Sequence, residues 1–134
     1  MPVFILAIFL SAFLLYQVQP IISRYSLPWY GGSPAVWTTC MLCFQMGLLA
    51  GYAYAHLLVS TLRQNRQLQI GIHLGLMVVS FLLLPITPPE SLKPDGTGDP
   101  IWGIVELLLR TVGLPYIVIS ASGPLLQHWF SEAQ

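Results

Sequence analysis

The chain has 134 residues, of which 55% are hydrophobic and only 7% charged, with a mean hydropathy of +0.72. Soluble domains usually carry about 25% charged residues, so the composition points to an integral membrane protein. Five basic and five acidic residues give no net charge, which excludes a nucleic-acid footprint, and two cysteines are too few for a disulfide scaffold.

No Asp, Glu, Lys or Arg occurs from Met1 to Ser23, from Tyr25 to Leu62, from Gln67 to Pro89 or from Thr111 to Ser131. Each gap meets the roughly 20 residues needed to cross a hydrocarbon core of about 30 Å. The expected architecture is an all-α integral membrane fold of about four transmembrane helices, forming one domain over residues 1–134.

The first span covers about residues 3–23. No Lys or Arg precedes this run and no small-x-small cleavage site follows it, so it is expected to be a retained helix and not a signal peptide. Gln17, Gln19 and Pro20 bring polarity and a kink near its end. Arg24, Trp29 and Tyr30 then serve as interfacial anchors, and "SLPWYGGS" is expected to turn at the membrane surface, with Gly31 and Gly32 free to adopt positive φ.

Ser33 and Pro34 form a helix start, a favoured N-cap followed by a residue suited to the first helical position. The second span, about 34–62, carries the anchor Trp37 and extends for about 43 Å, so it must tilt or protrude. A short basic turn, "RQNRQ", leads into the third span, about 68–84, which ends at Pro85. So short a connection makes the two spans antiparallel neighbours. Gly47, Gly51 and Ala55 on one, and Gly71 and Gly75 on the other, have the four-residue spacing that lets helix backbones approach. A close-packed hairpin is expected, with His56 and His73 near-level and able to touch.

Residues 86–100, rich in proline, form an aqueous loop with three acids and one lysine. The last span, about 101–130, is apolar but interrupted at Gly113–Pro115 and Gly123–Pro124. It reads as one kinked span in preference to an interfacial helix followed by a short span. Glu106 and Arg110 share one face as an intramembrane polar pair, bonded to each other or to headgroups, with a transport role as the alternative. Trp102 and Trp129, with His128, are the anchors. Arg63 and Arg66 on one side balance Arg24 and Lys93 on the other; the compact Arg pair favours a cytoplasmic N-terminus.

Cys40 and Cys43 lie one turn apart, but haem attachment would need His where Phe44 stands and a closed zinc site would need two more ligands. They read as space-filling residues. His56 and His73 are the candidate cofactor-binding residues, through a proton, metal or pigment role, against an ordinary interhelical hydrogen bond. No catalytic or metal residue is assigned, no cofactor is expected, and no enzyme activity is expected of this chain.

The stretches "FLSAFLLYQVQPIISRYSLPWYGGSPAVWTTCMLCFQMGLLAGYAYAHLL", "PPESLKPDGTGDP" and "TVGLPYIVISASGPLLQHWF" resemble the N-terminal membrane region of bacterial spermidine-synthase-like membrane proteins, in which a major-facilitator-like bundle is fused to a synthase. The resemblance covers most of Phe9 to Phe130. It implies a helical bundle similar to the start of a major-facilitator half, in the bacterial inner membrane, with its N-terminus in the cytoplasm. Family members continue into a Rossmann-like aminopropyltransferase domain that has no counterpart here, so no catalytic residue carries over. The expected function is a non-catalytic multi-span module, in contact with membrane lipids and packed against other transmembrane subunits of a larger complex. A fragment or half of a major-facilitator-like transporter, or the membrane domain of a polyamine aminopropyltransferase, are the alternatives.

Overall fold

The computed structural model describes residues 2–84, 87–96 and 98–132, and every regular element among them is helical. Helix α1 is Pro2–Tyr30, α2 Pro34–Thr61, α3 Arg66–Leu82, α4 Pro100–Leu108 and α5 Leu114–Ser131. A single 3-10 turn, Glu90–Leu92, lies in the connection between α3 and α4. Pro85, Ile86 and Thr97, which include the expected end of the third span and part of the aqueous loop, lie outside the described residues.

Local chemistry sets the helix ends. The Ser33 hydroxyl accepts from Val36 N at 3.4 Å, Asn65 Oδ1 from Leu68 N at 3.2 Å, and Asp99 Oδ1 from Ile101 N at 2.9 Å. Pro34 and Pro100 follow two of these caps at the first helical turn, where the amide hydrogen they lack has no intrahelical partner. At the far end of α1, Gly31 takes φ +83° and its N–H donates to Leu27 O at 2.8 Å. That is the left-handed glycine stop of a helix, so the connection shrinks to three residues. The turn expected from Ser26 onward is therefore corrected: α1 runs through Pro20 and Pro28 to Tyr30. The Ser23 and Ser26 hydroxyls bond back to the carbonyls of Gln19 and Ile22 at 2.8 and 3.1 Å.

Between α4 and α5 the backbone widens into a π-helical turn, Leu109–Gly113. Pro115 explains its place: it has no N–H to offer the carbonyl of Thr111, and its ring would crowd that carbonyl in a regular helix. The path stays helical from Pro100 to Ser131, 32 residues. At the second expected bend, α5 passes through Pro124 without interruption. Pro2–Tyr30, Pro34–Thr61 and Pro100–Ser131 are each long and apolar enough to cross a membrane, whereas α3 has 17 residues, somewhat fewer than the roughly 20 usually needed.

The last helix is the hub. Half of the apolar stretch of Pro100–Ser131 is buried, against 17% in α1 and 22% in α2, and α5 packs against α1, α2 and α3. At one end of the bundle Tyr30 Oη donates to Leu92 O at 3.4 Å; at the other, the rings of Phe4 and Phe130 lie 5.1 Å apart and Arg66 Nη2 donates to Trp129 O at 3.0 Å. Helices α2 and α5 consequently run parallel, with α1 and α3 antiparallel to them. One buried cluster gathers Val18, Ile22, Phe44, Ile104, Leu108 and Tyr116; a second gathers Ala55, Leu58, Ala121, Leu125 and Trp129.

This arrangement corrects the expected α2–α3 hairpin. A Cβ placed on Gly47 would lie 2.8 Å from Tyr116 Cδ1, and one on Gly51 would meet Ser120 Oγ and the Ile117 carbonyl, while Ala55 is buried in the cluster formed with α5. The small-residue stripe of α2 thus receives α5. Gly71 and Gly75 face open space, with no atom within 4 Å of a Cβ at either position. Helix α3 is instead held to α5 by polar side chains.

Candidate functional site

Helix α3 buries its polar stripe and exposes its apolar one. Gln69, His73 and Ser80 are buried and Arg66 is half-buried, at spacings that keep them on one face, while Leu68, Ile72, Leu74, Val78, Phe81 and Leu82 are exposed. The buried stripe meets α5 in a cluster of paired side chains. Trp129 Nε1 donates to Gln69 Oε1 at 2.8 Å, and Gln69 Nε2 donates to Leu62 O at 2.9 Å. His73 Nε2 lies 3.1 Å from Ser122 Oγ, which is also 3.0 Å from Val118 O. A hydroxyl has one hydrogen. With the Ser122 hydrogen on the Val118 carbonyl, Ser122 accepts from His73 Nε2–H and Nδ1 is the acceptor; with it on His73 Nε2, the tautomer is reversed.

In either tautomer the pair links α3 to α5 across the buried contact. The cluster joins α3 to α5 and leaves three buried polar atoms to spare. Tyr54 Oη, His73 Nδ1 and Arg66 Nε are buried without a hydrogen-bond partner among the described residues. The Tyr54 ring is stacked on His73 with centroids 6.1 Å apart, and Trp129 meets the imidazole edge-on at 6.0 Å. Stacking brings the Tyr54 and His73 rings together, but Tyr54 Oη and His73 Nδ1 make no hydrogen bond to each other.

The other expected site residues fall as follows. His56 is exposed beside Pro124 and His128 in a shallow groove, so the expected contact with His73 is corrected. Ala55 is the residue that faces α5, and a step of one residue along a helix turns the side chain by about 100°, carrying His56 outward. Trp129, expected to be an interfacial anchor, is 6% exposed and belongs to the buried cluster. Trp29 and Tyr30 are half-buried at the end of α1, and Trp37 and Trp102 are exposed. Arg110 Nη2 lies 2.9 Å from Glu106 Oε1, and both side chains are exposed. Cys40 is buried beside Ile22 and Phe44 in the first core cluster, and Cys43 is half-buried on its margin. Replacing both cysteines with alanine is expected to leave the melting temperature in detergent within a few degrees of the parent, because neither sulfur is in a disulfide and each only fills space in or beside the first core cluster. A larger loss, or release of a bound metal, would contradict a space-filling role. Among the described residues no group of three or more His, Cys, Asp or Glu side chains is placed to hold a metal ion.

Reading the sequence missed Tyr54, Gln69, Ser122 and the inward role of Trp129. One signal was present: Arg66, Gln69, His73 and Ser80 recur at intervals of three, four and seven, the spacing of one helix face. Comparison with protein-family models, curated proteins and solved structures finds no match for this chain.

Proposed function

We propose that this chain is a non-catalytic, membrane-embedded helical module that takes further transmembrane helices against its outer surface. The membrane setting is supported by the inverted helix α3, since burying a polar stripe and exposing leucine and phenylalanine is favourable only where the surrounding solvent is apolar. The observation that carries the packing role is the position of Gln17 and Gln45. Each is exposed near the middle of a long apolar helix, where an unpaired amide in hydrocarbon costs several kcal/mol. A facing helix that offers a hydrogen-bond partner removes that cost. Helices α1 and α2 also touch only sparsely, and a small cleft between them is walled by Gln19, Gln45 and Tyr116. Polar groups in such a position hold helices together at about 0.6 to 2 kcal/mol per bond.

The resemblance of the three stretches to the membrane region of bacterial spermidine-synthase-like proteins supports the same reading. With it come the proposals of a major-facilitator-like bundle, the bacterial inner membrane and a cytoplasmic N-terminus. The test is isolation from native membranes in mild detergent. The chain is expected to co-purify with stoichiometric transmembrane partners, and the double change Gln17→Leu and Gln45→Leu is expected to reduce that recovery about tenfold, the effect of roughly 1.4 kcal/mol. A monomer that stays solitary in mild detergent, or partners retained undiminished by the double variant, would refute the proposal.

A further inference from the structure

Two adjoining cavities at the loop end of α4 differ sharply in character. The first, about 740 Å³, is walled by Lys93, Asp95, Asp99, Glu106 and Arg110. The second, about 680 Å³, follows the groove between α2 and the α4–α5 path past Cys43, Gly47, Leu109 and Ile117, and its lining is almost wholly apolar. Trp102 forms part of both walls. A polar chamber bearing both signs of charge therefore opens beside an apolar channel.

Depth makes the charged wall informative. Glu106 and Arg110 follow Pro100 by six and ten residues, about 9 and 15 Å along the axis at 1.5 Å per residue. They are the only Asp, Glu, Lys or Arg residues between Pro100 and Ser131. Their side chains are 52% and 67% exposed, and such a pair by itself offers little stabilisation, whereas charge carried into the hydrocarbon region is costly. Arg110 lies in the π-helical turn, and turns of this kind are frequent at functional sites. One Glu106 oxygen occupies a single donor of the Arg110 fork, which leaves other guanidinium donors for a second anion. Asp99 is engaged as the cap of α4, so Asp95 and Glu106 remain as the carboxylates able to receive a cation.

We propose that the two cavities together hold one zwitterionic phospholipid, with its phosphate against Lys93 and Arg110, its ammonium against Asp95 and Glu106, and one acyl chain along the α2–α4 groove. A transmembrane helix laid in the groove would satisfy the apolar walls but bring nothing to the two signs of charge at its end. A phospholipid lacking the ammonium would leave the carboxylates unpaired. The proposal rests on the membrane reading, and the two fail separately. A chain that does not float with vesicles overturns the membrane reading, whereas a chain that floats but retains no phospholipid overturns only this one.

The test uses the full chain, extracted in mild detergent from vesicles of equal phosphatidylethanolamine and phosphatidylglycerol and weighed by native mass spectrometry. One retained phosphatidylethanolamine per chain is expected, in clear excess over phosphatidylglycerol. Lys93→Gln with Arg110→Gln should reduce retention about tenfold or more, because both removed charges would have bonded the phosphate. Ala50→Phe, which fills the groove from α2, should do the same with every charge intact. A second measurement on the unaltered chain does not depend on the variants folding. Cys43 lines the groove, so added phosphatidylethanolamine should slow its alkylation by N-ethylmaleimide, and phosphatidylglycerol should slow it less. No retained lipid, equal retention of the two lipids, undiminished retention in both variants, or no protection of Cys43 would each overturn the proposal.

Discussion

Replacing Gly51 with leucine is expected to separate α2 from α5 and abolish the compact bundle, seen as loss of the cooperative thermal transition in detergent. Even Gly51→Ala is expected to destabilise. Its Cβ would lie 2.8 Å from the Ile117 carbonyl oxygen as well as against Ser120 Oγ, and a carbonyl inside a helix has nowhere to go. Overpacking of this kind costs about 1 to 3 kcal/mol, while alanine recovers at most about 1 kcal/mol of helix propensity over glycine. The balance is a loss. Gly71→Ala and Gly75→Ala are the matched controls, because a Cβ at either position meets nothing within 4 Å. They are expected to leave stability unchanged or raise it by up to about 1 kcal/mol. Equal effects at Gly51 and Gly75 would mean that the α2 stripe does not receive α5.

Changing Gln69 to leucine is expected to detach α3 from α5. The substitution removes the acceptor of the Trp129 indole, leaving a buried N–H unpaired at about 1 to 3 kcal/mol, and removes one of the two donors to the Leu62 carbonyl, which keeps the Asn65 amide. Trp129→Phe removes one partner of the same bond, so Gln69→Leu added to it should cost less than Gln69→Leu alone. A double-mutant cycle of unfolding free energies, measured by helicity against denaturing detergent, should therefore show clear non-additivity. Strict additivity of the two changes would show that the bond contributes nothing. Together the two predictions separate the ways in which α5 is held: by close backbone approach on its α2 side and by polar bonds on its α3 side.

Much of this follows from short stretches of sequence. Long gaps between charges point to the all-helical class and to about four apolar spans, of which three helices are long and apolar enough to cross a membrane and α3 is shorter. Ser33–Pro34, Asn65 and Asp99–Pro100 start helices because a side-chain oxygen and a missing amide hydrogen act within one turn. Gly31 stops α1 because only glycine takes φ +83° without strain. The extension of α1 past Pro28 was less legible. Proline usually marks an end, yet here the missing hydrogen bond falls in the final turn, and Gly31 closes that turn on Leu27.

The sequence by itself therefore determined the helices, most of their ends, and which residues are small or polar enough to serve as contacts, since these are properties of neighbours along the chain. It did not determine which helix meets which. A stripe of Gly47, Gly51 and Ala55 fits any close neighbour, and a five-residue turn made α3 seem the obvious one. Only the tertiary structure placed α5, the most distant helix in the chain, between them. The physical reason is complementarity across the contact: α5 brings Ser120 and Ala121 to the α2 stripe and Ser122 and Trp129 to Gln69 and His73, whereas the glycines of α3 have no surface to receive.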